Sequence, residues 1–311
     1  MAEVLQIDNT KRSTYTACPR KYQIAHIYGM KSDTGSTALR YGSAWHGLME
    51  GYYEDIIKHG WGTETSIHRA VQLGRIAWDA ETVLCPKWYD DYRTFENACA
   101  AFTQYIGHFA SDRTNFKVQS TEQLFKLPLI LTDVEKQLFP LCAEHGVEFT
   151  GKLDLLCKLS GAHYIVEFKT TGQPLALQLN RLHRTPQLIG YNYAAHELGF
   201  PCDGNLISMH HISSRKKADG EYGKLNMGFE RQIEIYTKQD LLDWRLSFLY
   251  TCESILRSMA TGLFPMHLDS CYQYGPCTYI PICSQGRPMD EVHWEGYHEQ
   301  FWNVLETGHE V

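Results

Sequence analysis

The chain has 311 residues, 43% hydrophobic and 21% charged, and a net charge of −7 from 29 Lys and Arg against 36 Asp and Glu. Such a chain buries a core, fits one large domain or two modest ones, and is neither disordered nor coated throughout in basic charge. The sum does not exclude a local basic groove, because distribution matters more than net charge. No run of about 18 apolar residues occurs, so no membrane-spanning helix is expected. The N-terminus has no basic stretch followed by an apolar one, so no secretory signal is expected. Ten cysteines without such a signal point to a reducing compartment, where they serve as core residues or metal ligands rather than disulfides.

In chain order, residues 1–49 predict a short helix and a second helical start, with six cations against three anions. Residues 50–117 carry Trp78, Phe95, Phe102, Tyr105 and Phe109 at helical spacing and predict a core-facing stripe. The period then changes to that of strands, beginning at Val118, at Val147 to Leu159 and at His163 to Thr170. Turns are expected at Glu144 to Gly146 and at Leu159 to Ala162. A helix over 185–199 opens with a Thr-Pro pair and closes at Gly199. Strands over 204–212 and 228–236 follow, joined by a basic loop with Arg215, Lys216 and Lys217. An amphipathic helix over 238–262 ends at Gly262, and an acidic tail rich in Cys, Pro and Tyr completes the chain. This order predicts a mixed α/β core with a helical insertion.

The strongest chemistry lies in two neighbouring strands, Glu148-Phe-Thr-Gly-Lys-Leu-Asp-Leu-Leu and Tyr164-Ile-Val-Glu-Phe-Lys-Thr. Strand alternation puts Glu167 and Lys169 on one face, with Val166, Phe168 and Thr170 on the other. If the strands pair through their short turn, Asp154 converges on Glu167. Two carboxylates and an ammonium on an apolar sheet are costly unless they pair or hold a metal. Spacing alone leaves both readings open: an exposed salt bridge, or oxygen ligands for Mg²⁺ or Mn²⁺.

The run Gly151-Lys-Leu-Asp154 followed by Glu167-Phe-Lys-Thr170 resembles the PD-(D/E)xK nuclease superfamily, and within it the RecB-like branch. Upstream, Gly42-Ser-Ala-Trp-His46 is similar to that branch's G-x-x-x-H; downstream, Gln187-Leu-Ile-Gly-Tyr191 is similar to its Q-x-x-x-Y helix. The resemblance spans residues 13 to 283, and its ordered set is more specific than any single motif. It implies a restriction-endonuclease-like α/β core with a mixed central sheet. It implies metal ligation by His46, Asp154, Glu167 and the Phe168 carbonyl, and a water-positioning or activating role for Lys169. Gln187 and Tyr191 would steady the lysine or the DNA backbone. Glu122, one strand earlier, is a candidate acidic partner or a solvated strand residue.

Cys271, Cys277 and Cys283 lie in a compact tail stiffened by Pro276 and Pro281, and Cys18 is the fourth candidate. Four thiolates suit zinc or an iron–sulfur cluster, and the two tight pairs usual for structural zinc are missing. One cysteine ahead of the core and three behind it resemble the iron–sulfur nucleases of the RecB-like branch, which include AddB-type nucleases and CRISPR-adaptation exonucleases. Their common C-x2-C-x5-C ending is not matched. A [4Fe-4S] cluster would tie the N- and C-termini together and serve structure. Cys85, Cys99, Cys142, Cys157, Cys202 and Cys252 are read as core residues.

Basic candidates for a nucleic-acid groove are Arg20, Lys21, Arg40, Lys152, Arg181, Arg184 and Arg215 to Lys217. Tyr22, Tyr28, Tyr41, Trp45 and Tyr191 either stack on unpaired bases or pack in the core. The expectation is a single nuclease domain over 1–311, with N-terminal helices (1–49), a helical insertion (50–117), a nuclease core (118–262) and a cluster segment (263–311). It would be a Mg²⁺- or Mn²⁺-dependent exonuclease on single-stranded DNA ends, in the cytoplasm of a bacterial or phage-infected cell, with no membrane partner. No Walker A motif is present, so a helicase, recombination or CRISPR-adaptation partner would be a separate protein. Two alternatives stand: a non-catalytic DNA-end binding or assembly subunit, and a zinc-stabilised endonuclease.

Overall fold

The computed structural model describes residues 4–62, 64–85, 91–273 and 275–306. Residues 63 and 86–90, inside the stretch expected to be helical, lie outside the described set. The chain opens with β1 (Leu5–Ile7), α1 (Asn9–Ala17), α2 (Pro19–Tyr22), a π-helical turn (Gln23–Ile27) and β2 (Met30–Ser32). The helical stretch is α3 (Thr37–His59), α4 (Glu64–Leu84), α5 (Phe95–His108) and the single turn α6 (Asp112–Asn115). Then come β3 (Phe116–Pro128), α7 (Asp133–Leu138), α8 (Pro140–His145), β4 (Val147–Leu159), β5 (Ala162–Thr171), α9 (Leu175–Leu182) and α10 (Pro186–Glu197). The rest is β6 (Gly204–Ser213), β7 (Asn226–Glu234), α11 (Lys238–Thr261), α12 (Ile280–Cys283) and β8 (Tyr297–Glu299).

The central sheet is mixed, with order β1-β4-β5-β6-β7 and β3 also paired to β4. Pairs β4–β5 and β6–β7 are antiparallel, and β1–β4 and β5–β6 are parallel. A second, two-stranded sheet joins β2 to β8. The β4–β5 hairpin turns through Ser160 and Gly161, both at positive φ (49° and 97°), between the paired Leu159 and Ala162. Two left-handed residues define the tight turn whose twist suits a hairpin. No described helix is long and apolar enough to cross a membrane.

The chain divides into two compact units, residues 34–123 with 152–238, and residues 1–33 with 124–151 and 239–311. In the first, one sheet face packs on α3 and α5: Val166, Phe168, Leu206 and Ile212 join Tyr41, Trp45, Leu48, Tyr53, Phe102 and Tyr105 in one buried cluster. The other face carries Ile207 and Met209 against Leu179 and Leu188 of α9 and α10. Helices α3 and α4 approach so closely that a Cβ on Gly47 would lie 2.7 Å from the Leu73 carbonyl oxygen, and one on Gly51 2.6 Å from that of Arg69. In the second unit, Phe149 packs on Phe125, Trp244 and Phe248, and Ile24, Tyr279, Ile282 and Val292 form a smaller core.

Candidate active site

Register places the site. Glu167 pairs with Ile207 and Lys169 with Met209, so both charged residues lie on the face covered by α10. The hydrogen-bonded pairing of β4 with β5 starts at Leu155↔Val166 and runs toward the hairpin. Beyond it, Asp154 Oδ2 accepts the main-chain N–H of Phe168 at 2.9 Å. A side chain has taken over a ladder bond there.

Groups from several elements meet at this point. His46 of α3 brings Nδ1 to 3.4 Å from Asp154 Oδ2. Lys169 Nζ donates to Glu167 Oε1 at 2.5 Å and to Gln187 Oε1 at 3.1 Å. Gln187 Nε2 also donates to Glu167 Oε1 (2.9 Å) and to Tyr191 Oη (3.4 Å), one helical turn along α10. The sequence-predicted set His46, Asp154, Glu167, Phe168, Lys169, Gln187 and Tyr191 is therefore gathered in one place. Glu167 is 2% exposed, and its second oxygen, Oε2, is buried with no hydrogen-bond partner.

Electrostatics separate the two carboxyls. Burial, with Asp154 beside it, raises Glu167 to about 7, against the counter-pull of Lys169. Burial opposes the charge of Asp154, but His46, Lys169 and the Phe168 N–H outweigh it and hold its pKa below the ordinary value. Lys169 and His46 are each disfavoured by burial, yet the carboxylates hold both above their ordinary values.

The site extends further than the motifs suggested. Glu122 sits at φ 48°, a left-handed conformation inside a strand, and forms an ion pair with Lys152. Burial and then Asp154 raise Glu122 to about 7. Glu50, whose pKa is raised chiefly by burial, also bears on Lys152 and His46. It was missed from the sequence, although it stands four residues after His46 on α3 and so shares its helix face. Lys152 belongs with Glu122.

Four of the five candidate base-stacking aromatics are core residues: Tyr22, Tyr41, Trp45 and Tyr191 are 3%, 1%, 0% and 7% exposed. Trp45 stacks on His210 at 4.3 Å, and Tyr41 Oη bonds His210 Nε2 at 2.8 Å. Their spacing served packing, and only Tyr28 is left at the surface. Among the basic candidates, Arg40 lies over the Trp78 ring at 3.9 Å and Arg20 donates to the Phe264 carbonyl, whereas Arg181, Arg184 and Arg215 to Lys217 are exposed.

The four singled-out cysteines fall in the second unit. Burial raises the Cys283 thiol, and Cys18, Cys277 and Cys271 bear on it in the same direction. The His267 N–H donates to Cys18 Sγ at 3.4 Å, and the Cys277 N–H to the Cys271 carbonyl at 2.8 Å. None of the ten cysteines forms a disulfide among the described residues. No group of three or more His, Cys, Asp or Glu among the described residues stands at metal-holding spacing.

One solved structure, a protein from Eubacterium rectale provisionally named an exonuclease, is similar at 14% identity and a TM-score of 0.49, over 92% of this chain and 89% of that one. No curated protein matches. The sequence pattern of the PD-(D/E)XK nuclease superfamily matches residues 9–284, which include every residue of the site just described. The chain belongs to the PD-(D/E)XK nuclease superfamily.

Proposed function

We propose that the protein is a metal-dependent deoxyribonuclease that shortens single-stranded DNA from an end. The observation that carries this reading is Glu167 Oε2: a buried carboxylate oxygen without a donor, on a carboxyl that burial, with the second carboxylate Asp154 beside it, raises to about 7. Such an arrangement calls for a cation. Asp154, Glu167 and the Phe168 carbonyl offer hard oxygens suited to Mg²⁺ or Mn²⁺, and His46 adds a nitrogen. When bound, the ion would polarise the phosphate and favour hydroxide at the attacking water.

The protein's own groups do the rest. Lys169 keeps its proton and presents an ammonium to the attacking water and to the charge that grows on the phosphate. Gln187 fixes that ammonium from α10, and Tyr191 supports Gln187. The Phe168 N–H holds Asp154 in orientation.

The same reading assigns Cys18, Cys271, Cys277 and Cys283 to a [4Fe-4S] cluster of structural role. Its support is the donor set: free thiols, three of which bear on the fourth. Anaerobically purified protein should absorb near ~400 nm, and Cys18→Ala should lose iron and stability together. A colourless, zinc-loaded protein would replace the cluster with zinc.

The deciding experiment is cleavage of end-labelled single- and double-stranded DNA with Mg²⁺ or Mn²⁺, comparing wild type with Lys169→Met. The expected result is metal-dependent shortening that falls at least about a hundredfold in the variant. No cleavage by intact wild type, with DNA still bound, would make the protein a DNA-end binding subunit.

A further inference from the structure

A pocket of about 540 Å³ opens in the first unit, away from the carboxylates. Its walls come from the end of α3 (Ile56, Ile57), from Trp61, from the run 113–118, and from the β4–β5 hairpin (Lys158, Ser160, Gly161). Three lining residues are cations: Arg113, Lys117 and Lys158. No described lining residue is acidic, and none of the three cations forms an ion pair among the described residues. Asp112, next to Arg113 in sequence, is committed to Arg231, whose Nη1 and Nη2 each donate to it at 2.8 Å. Trp61, Phe116 and Ile56 give the pocket an apolar wall, and Thr114, Asn115 and Ser160 supply polar groups.

Solitary surface lysines are ordinarily solvated. Three uncompensated cations around one concavity are different, because a low-dielectric wall focuses their field on whatever enters. The volume suits a nucleotide-sized group. Lys158 lies four residues beyond Asp154 on β4, and Val118 four residues before Glu122 on β3. At a strand rise of about 3.3 Å, the pocket stands roughly 13 Å along the sheet from the carboxylate site. A phosphate seated there is not the one being cut.

We propose that Arg113, Lys117 and Lys158 form a second phosphate-binding site, which holds the substrate strand at a phosphate remote from the scissile bond. This inference rests on the nuclease reading for the identity of the strand. The phosphate is either the terminal group of the DNA or one within its backbone; the chemistry is shared, and the test separates the two.

The experiment compares wild type with the double variant Lys117→Gln/Lys158→Gln. Binding of a 3′-labelled single strand of about 15 nucleotides, with and without a 5′-phosphate, is followed by anisotropy across a salt series without divalent metal. Hydrolysis of bis-para-nitrophenyl phosphate, too small to span both sites, is measured with Mn²⁺. The expected result is a Kd raised about tenfold and a salt slope reduced by about 1.4, the contribution of two phosphate contacts on a single strand, with hydrolysis of the small diester unchanged. Loss confined to 5′-phosphorylated strands assigns the terminal group; equal loss on both strands assigns an internal one. An unchanged Kd and salt slope overturn the pocket even if wild type cuts DNA. Pocket-dependent binding by a wild type that cuts neither substrate overturns the nuclease and keeps the pocket. Should the double variant fold poorly, Arg113→Gln alone, at an exposed position, is expected to give the same direction at about half the slope change.

Discussion

The Asp154 carboxylate is tied to the main chain of the strand that carries its partner: Oδ2 accepts the Phe168 N–H at 2.9 Å. One residue thus supplies a charge and closes a ladder bond, and the two roles separate by substitution. Asp154→Asn keeps an acceptor oxygen and loses the charge. It is expected to abolish cleavage and to lower Tm modestly, because His46 and Lys169 stabilise the Asp154 charge in the folded protein. Asp154→Ala leaves the Phe168 N–H unsatisfied and should cost about 1–3 kcal/mol besides. Equal Tm values for the two variants would remove the structural role of the bond.

Close packing of α3 on α4 gives the second prediction. A Cβ on Gly47 or Gly51 would meet carbonyl oxygens of the partner helix at 2.7 and 2.6 Å, and main chain cannot swing aside as a side-chain tip does. Gly47→Ala and Gly51→Ala should each destabilise by about 1–3 kcal/mol, the range of core overpacking. Denaturant unfolding checks this. Gly107→Ala, with open space around its Cβ, is the control, and should hold or gain stability through better helix propensity.

Much of this was legible from local pattern. The period of two placed Glu167 and Lys169 on one face, and the Ser160-Gly161 turn fixed the hairpin that brings Asp154 beside them. The helix over 185–199, realised as Pro186–Glu197, carries Gln187 and Tyr191 to the same place. Strand β1, three residues long, pairs with β4 some 140 positions away and leaves no local signal. Glu50 and Lys152 joined the site through tertiary contact. Trp45 and Tyr41 looked like base-stacking candidates because burial and stacking call for the same residue types.

The ion pair of Glu122 with Lys152 sits where burial and then Asp154 raise the carboxyl to about 7 against the pull of Lys152. Lys152→Met removes the countercharge beside Glu122, Glu50 and Asp154, and should cost about 3–5 kcal/mol. Adding Glu122→Gln should recover most of that loss. A double-mutant cycle by denaturant unfolding measures the coupling, and additive effects would show that the pair is not a unit.

Acid stability tests a pair outside the proposed chemistry. Glu135 closes a capping box with Thr132, and Arg245 donates to both its oxygens at 2.7 and 3.0 Å. The Arg245 hydrogen bonds, working against burial and aided by Thr132, lower its pKa from 4.5 to about 2. The folded carboxyl therefore binds protons less readily than the unfolded one. Its contribution is complete above pH 4.5 and is lost as pH falls toward 2. At about 1.4 kcal/mol per pKa unit the unscreened ceiling is about 3.5 kcal/mol, and solvent screening at this pair reduces the loss to about 1–2 kcal/mol. Unfolding free energies measured between those limits should fall less steeply in Arg245→Leu than in wild type. Identical slopes would mean that the pair makes no pH-dependent contribution.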